Sequence, residues 1–209
     1  MTTTQLKGVT ATQIAGLNAT DITELGDTQV GSFSTTQLAA LGATNFSTLA
    51  DTQIAALSTT QIAAVTTTEL KGLTVTDIGE FADTQIAALS STQLGVLSAT
   101  NFSALDQTAI SGLNTTQLKG ITTTQLSGIS ATALADFTPT QIGNFAVTQL
   151  TALTTTSLNA LDTTQLGGLT TTQIASLSTT NLSSFNATQV GNLNATQIGG
   201  LTVTQLKGI

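Results

Sequence analysis

Apolar residues recur along this chain at alternating intervals of three and five. After Met1 the sequence divides without remainder into twenty-six octads, the first Thr2–Val9 and the last Thr202–Ile209. With positions in each octad numbered 1 to 8, positions 5 and 8 are Leu, Ile, Val or Phe in every copy. Position 3 is Thr in all twenty-six copies, from Thr4 to Thr204, and position 4 is Gln in seventeen. Position 1 is Ser, Thr, Asn or Asp in twenty-one copies, and position 7 is Gly, Ala or Ser in nineteen. A period this strict describes an array of stacked units rather than an ordinary globular core.

The octad follows the rules for starting a helix. Position 1 carries N-cap residues, whose side-chain oxygen accepts from a free amide of the first turn. Position 4 then falls at N3, where Gln or Glu returns a hydrogen bond to the cap. Position 8 of the preceding octad and position 5 form the apolar pair that staples the helix entry. The single proline, Pro139, sits at position 2, the N1 site where its missing N–H costs nothing. Each octad therefore predicts about one and a half turns of helix followed by a sharp redirection. One continuous helix is excluded, because eight residues at about 100° each move the apolar stripe by about 80° per octad. Helices this short do not form alone, so their stability must come from stacking, and small residues at position 7 let neighbouring backbones approach.

The predicted fold is all-α: a right- or left-handed solenoid of 26 short helical octads, one continuous domain over 1–209. Position 4 departs from Gln at Asp21, Asn45, Glu69, Asp77, Asn101, Ala109, Ala133, Ser157 and Asn181, a mean spacing slightly over three octads. The strings T-D-I-T-E (20–24) and A-T-N-F-S (43–47) recur near-identically 56 residues later, at 76–80 and 99–103. Both observations predict about 3–3.5 octads per superhelical turn, with every seventh octad at the same azimuth. The alternative is a β-solenoid with 16 residues per coil, which would stack Thr and Gln into ladders. The three-and-five apolar spacing argues against it, since strands alternate with period two.

Composition narrows the chemistry. The chain has no Cys, His, Trp, Tyr or Arg, and a net charge of −7 from eleven scattered acids and four lysines. No basic patch exists to neutralise phosphates, so nucleic acid is not expected as a partner. Lys7, Lys71, Lys119 and Lys207 all occupy position 6 before a Gly and read as solvated. Without Cys or His there is no ordinary zinc or haem site and no disulfide framework. No apolar run approaches the length of a membrane span, and MTTTQLKG is not a secretory signal. Starting and stopping on octad boundaries is what an excerpt from a longer array would do.

No catalytic, cofactor-binding or metal site is predicted, and the chain is not expected to be an enzyme. Ser and Thr abound, but no His is present to activate them. The carboxylate pairs Asp21/Glu24 and Asp77/Glu80 lie at i, i+3 on one helix face, and the stronger reading of each is a helix cap. N-x-[ST] triplets at Asn18, Asn45, Asn101, Asn114, Asn181, Asn186 and Asn194 arise automatically from Asn at positions 1 or 4 followed by Thr or Ser. The Thr column has two readings. Structurally, its methyl packs on a neighbouring unit and its hydroxyl satisfies a backbone group. Functionally, it resembles the T-x-T ranks of ice-binding solenoids, as in Thr2-Thr3-Thr4 and Thr10-Ala11-Thr12.

The string L-[ST]-x-T-Q-[IL]-x-x, as in Leu57-Ser58-Thr59-Thr60-Gln61-Ile62-Ala63-Ala64, resembles octapeptide arrays of very large bacterial surface or secreted repeat proteins. That resemblance implies a spacer, stalk or adhesive scaffold, with an extracellular or cell-surface setting if this is a segment of such a protein. The expected function is a structural repeat scaffold: a rod, stalk or filament segment with a polar Thr/Gln/Asn surface. The alternative is a binding module that uses the regular Thr/Gln surface for ice, carbohydrate or protein. The terminal octads TTTQLKGV and TVTQLKGI lack polar capping units, which predicts end-to-end self-association.

Overall fold

The structure, a computed structural model, describes residues 1–209. Twenty-six α-helices follow one another, one per octad, from Thr3–Leu6 to Val203–Leu206, and there is no strand. The β-solenoid alternative is thereby overturned. The reason is local: in nearly every octad the amides at the start of the segment are satisfied by capping hydrogen bonds, which suit a helical turn and not a strand.

A typical start is Thr10, whose backbone is extended at φ −76° and ψ 157°. Its Oγ1 accepts from Gln13 N at 3.2 Å, and Gln13 Oε1 accepts from Thr10 N at 2.8 Å. Where position 1 is Ala, or Gly at Gly26, there is no side-chain oxygen, and only the return bond forms, as from Ala50 N to Gln53 Oε1 at 2.8 Å. Pro139 occupies N1 of its helix, as its fixed φ favours. Nearly every helix closes tightly, the position-8 amide donating to the position-5 carbonyl, as Leu57 N does to Ile54 O at 3.0 Å. Two extended residues then redirect the chain; Leu177 (ψ 141°) and Ser178 (ψ 157°) are one such pair. Redirection therefore needs no left-handed residue.

The chain forms two compact units, Met1–Ala104 and Leu105–Ile209. Each is a helical, solenoid-like stack in which the helix of one octad packs on the helix three octads later. In the first unit octads 1 and 4, 4 and 7, 3 and 6, and 6 and 9 are such pairs; in the second, 18 and 21, 22 and 25, 17 and 20, and 20 and 23. Positions 5 and 8 fill the interior of each unit, with Ile62, Leu94, Ile142 and Leu166 wholly buried.

Position 7 fits against positions 2 and 6 of the octad three earlier. A Cβ on Gly168 would come within 2.3 Å of the Pro139 carbonyl oxygen, and one on Gly143 within 2.5 Å of Gly168 O. At this stack a side chain has no room, and close approaches of this kind favour small residues at position 7.

One octad breaks the pattern. Leu41, which should be extended, is helical at φ −62° and ψ −36°, and Gly42 takes φ +74°, the only positive φ in the chain.

Candidate functional surface

The position-4 glutamines are not on the surface. Fourteen of the seventeen are buried, and only Gln5, Gln13 and Gln29, near the N-terminus, are not. This corrects the expected Thr/Gln exterior. The physical reason is a second bond from the same amide. While Oε1 serves the cap, Nε2 donates to the position-8 carbonyl four octads earlier, 28 residues back. Gln37 thus reaches Val9 O at 2.7 Å, Gln53 reaches Leu25 O at 2.6 Å, and Gln85 reaches Leu57 O at 2.8 Å. In the second unit Gln141 reaches Leu113 O at 2.9 Å, Gln165 reaches Phe137 O at 2.7 Å, and Gln197 reaches Leu169 O at 2.9 Å. Several also reach the position-5 carbonyl 31 residues back, as Gln149 does Leu118 O at 2.8 Å. The position-8 carbonyl is one that a short helix leaves without a partner, and the position-5 carbonyl, which already accepts from its own octad, takes the amide as a second donor.

The departures from Gln share contacting octads. Octads 3, 6 and 9 carry Asp21, Asn45 and Glu69, and octads 17, 20 and 23 carry Ala133, Ser157 and Asn181; successive members of each trio pack together. Asn45 and Asn101 make the backward bond with a side chain one methylene shorter, to Leu17 O at 2.8 Å and Leu73 O at 2.7 Å. Neither Asn returns a bond to the amide of its own position 1, so each keeps the backward bond and gives up the cap.

Glu69 keeps the cap and loses the backward bond. Its Oε2 accepts from Thr66 N at 2.7 Å, while Oε1 is the one buried side-chain oxygen in the chain without a hydrogen-bond partner. By the register of its neighbours, Oε1 stands where an amide nitrogen would meet the carbonyl of Leu41. That is the residue whose backbone has turned away.

The exterior belongs to position 3. All twenty-six threonines there are exposed. Only Thr52 uses its hydroxyl within the protein, donating to Asp27 Oδ1 at 2.9 Å. The expected packing of this methyl on a neighbouring unit is overturned, and with it the backbone-bonding role of the hydroxyl. At N2 the side chain points off the helix, away from the stacked faces.

The acidic pairs occupy distinct settings. Asp21 Oδ2 caps Asn18 N at 2.9 Å, and Asp77 Oδ2 caps Thr74 N at 2.7 Å, so one member of each pair closes its own helix start. Burial lifts the Glu80 carboxyl above the usual carboxylate value of 4.5, and the charges of Asp77 and Asp51 push it the same way. Asp51 is the residue that sequence spacing missed, because it reaches Glu80 from the octad three earlier. Of the N-x-[ST] asparagines, Asn45 and Asn101 are buried as backward donors, and Asn18, Asn114, Asn186 and Asn194 accept from the amides of their helix starts. Asn181 Oδ1 accepts from Thr155 Oγ1 at 3.1 Å. In the second unit an open groove of about 600 Å³ is lined by Asn159, Asp162, Asn186 and Thr188 among others.

Capped helical octads, a buried amide ladder and a small-residue contact at each stack define a helical repeat protein. The family model of the ALTTAQ repeat matches residues 147–179, a span of about four octads, and this supports a repeat family. No curated protein matches the chain. No helix is long and apolar enough to cross a membrane.

Proposed function

We propose that this chain is a non-catalytic structural repeat scaffold, a segment of a rod, stalk or filament. The observation that carries the reading is the glutamine ladder. The position-4 amide, a group able to recognise a ligand, is spent on holding octads to one another, leaving an exterior of short, mostly uncharged side chains. Within each unit we place about three to three and a half octads in a turn. The support is that an octad packs on its third neighbour while its amide reaches back to the fourth. A tandem fusion of two chains in octad register tests the scaffold reading by X-ray scattering. A largest dimension that grows in proportion to octad number is the expected result. An unchanged one counts against a rod.

A second reading is favoured by the Thr column. Its side chains are exposed in every octad, and twenty-five of the twenty-six hydroxyls are unused within the protein. Positions 2 and 6 vary widely while position 3 does not, so duplication alone does not explain it. A regular rank of methyl and hydroxyl groups fits a binding surface, ice included. A gap between melting and freezing points in the presence of the protein supports this reading; no gap removes ice as the ligand.

A further inference from the structure

We propose that Glu69 and the turn at Leu41 and Gly42 form a latch worked by a single proton. The turn runs irregularly while Glu69 is a carboxylate, and takes the regular extended course when Glu69 carries a proton. Two anomalies of the first unit stand 28 residues apart, which is the spacing of the amide ladder. Glu69 is wholly buried, and its Oε1 is the one buried side-chain oxygen without a partner. Leu41, whose carbonyl that oxygen should meet, is helical, and Gly42 after it has the only positive φ in the chain.

A glutamine at this position sets a donor against a carbonyl. A carboxylate sets one acceptor against another, away from water, where an unmatched polar atom is costly. Two arrangements relieve the clash. The carbonyl turns away, which is the course Leu41 takes, or Oε1 gains a proton and donates as an amide would. The rest of the carboxyl suits the second arrangement. Oε2 accepts from Thr66 N at 2.7 Å and from Thr66 Oγ1 at 2.8 Å, so both bonds to the helix start fall on one oxygen. Uptake of one proton from solvent turns Oε1 into a hydroxyl donor and leaves those bonds in place. The regular course is seen two octads earlier: Gln53 Nε2 holds Leu25 O at 2.6 Å, and Gly26, also at position 1, is extended at φ −75°.

Glycine lets the backbone follow either course. The move is felt beyond the turn, because a Cβ added to Gly72 would lie 2.8 Å from Ala43 Cβ. Octads 6 and 9 therefore touch where the helix start shifts. No neighbouring cation takes the place of the proton. Octad 9 packs on octads 6 and 12, and the ladder register joins it to octads 5 and 13; none of these four carries an ionisable side chain. Octad 8, just before it in the chain, carries none either. The other ionisable group of octad 9 is Lys71, which is exposed. Octad 10 follows with Asp77, whose Oδ2 accepts from Thr74 N at 2.7 Å, and with Glu80. Both are acids, so neither can compensate a buried carboxylate.

Carbon and nitrogen NMR of the 21.1 kDa protein, followed from about pH 8 to about pH 3 across the ordinary carboxylate range, is the test. The side-chain carboxyl carbon of Glu69 reports its own proton, and the Leu41 carbonyl carbon and Gly42 amide report the turn. The three are expected to move together with one midpoint. Glu69→Gln, which supplies the donor without a proton, should hold the Leu41 and Gly42 signals at their acid positions at every pH. Gly42→Ala, which disfavours the left-handed course, should move the Glu69 midpoint to higher pH. A Glu69→Gln protein whose Leu41 and Gly42 signals match neutral wild type overturns the proposal. So does a Glu69 carboxyl that titrates while the turn stays still, or a chain that unfolds in acid before either moves.

Discussion

One amide does two jobs at position 4, and the two are separable by mutation. Gln173 caps Thr170 through Oε1 at 2.7 Å and donates through Nε2 to Phe145 O at 2.8 Å. Gln173→Glu keeps the first and turns a carboxylate oxygen on the second, so a loss of about 1–3 kcal/mol is expected in urea unfolding. Gln13→Glu, where Nε2 has no partner, should cost under about 0.5 kcal/mol. Equal losses would mean that the ladder contributes nothing beyond capping. Glu69→Gln runs the experiment in reverse: it supplies the missing donor to the one orphaned buried oxygen site and should stabilise by about 1–2 kcal/mol. The capping half of this residue was legible in the octad, because its partner lies three residues away. The ladder half was not, because its partner lies 28 residues back, three and a half periods, and leaves no mark on a local pattern. Position 3 misled for a related reason: uniformity suggested packing, yet at N2 the side chain leaves the stacked faces altogether.

Helix starts, helix ends and the staple follow from the octad at the level of the element. The one irregular turn does not. Gly26 and Gly42 both occupy position 1, and Gly26 is extended at φ −75° while Gly42 is left-handed. The two differ in what holds the preceding carbonyl, and glycine alone lets that difference reach the backbone, since Ala50 stays extended after Leu49, whose carbonyl also lacks a glutamine donor. Leu25 O accepts Gln53 Nε2 at 2.6 Å, whereas the octad that should serve Leu41 carries Glu69. Only a glycine can follow a carbonyl that turns away. Gly42→Ala should therefore cost about 1 kcal/mol in wild type and less in the Glu69→Gln background, read as a double-mutant cycle. Additive effects would separate the two residues. The close contacts offer a second paired prediction. Gly168→Ala places a Cβ 2.3 Å from the Pro139 carbonyl oxygen and is expected to destabilise by about 1–3 kcal/mol. Gly167→Ala, with nothing within 4 Å, should gain up to about 1 kcal/mol from helix propensity. Thermal melts of the two neighbours must move in opposite directions.

At the scale of the whole molecule, charge is unevenly shared: eight of the eleven acids precede residue 105. Glu80 registers that crowding, its carboxyl lifted first by burial and then by Asp77 and Asp51. The folded chain thus binds that proton more tightly than the unfolded one. Its stabilising contribution is complete below the usual value of 4.5 and is lost as pH rises through the lifted one. Glu80→Gln should therefore gain on wild type at neutral pH and not at acid pH. An equal gain at both would point to packing instead. Direction along the chain is the remaining consequence of the ladder. Every glutamine donor reaches backward, to a carbonyl 28–31 residues nearer the N-terminus, and none reaches forward. A chain leaving the ribosome N-terminus first always finds its acceptors already in place. Each new octad can settle on finished structure without waiting for sequence still to be made.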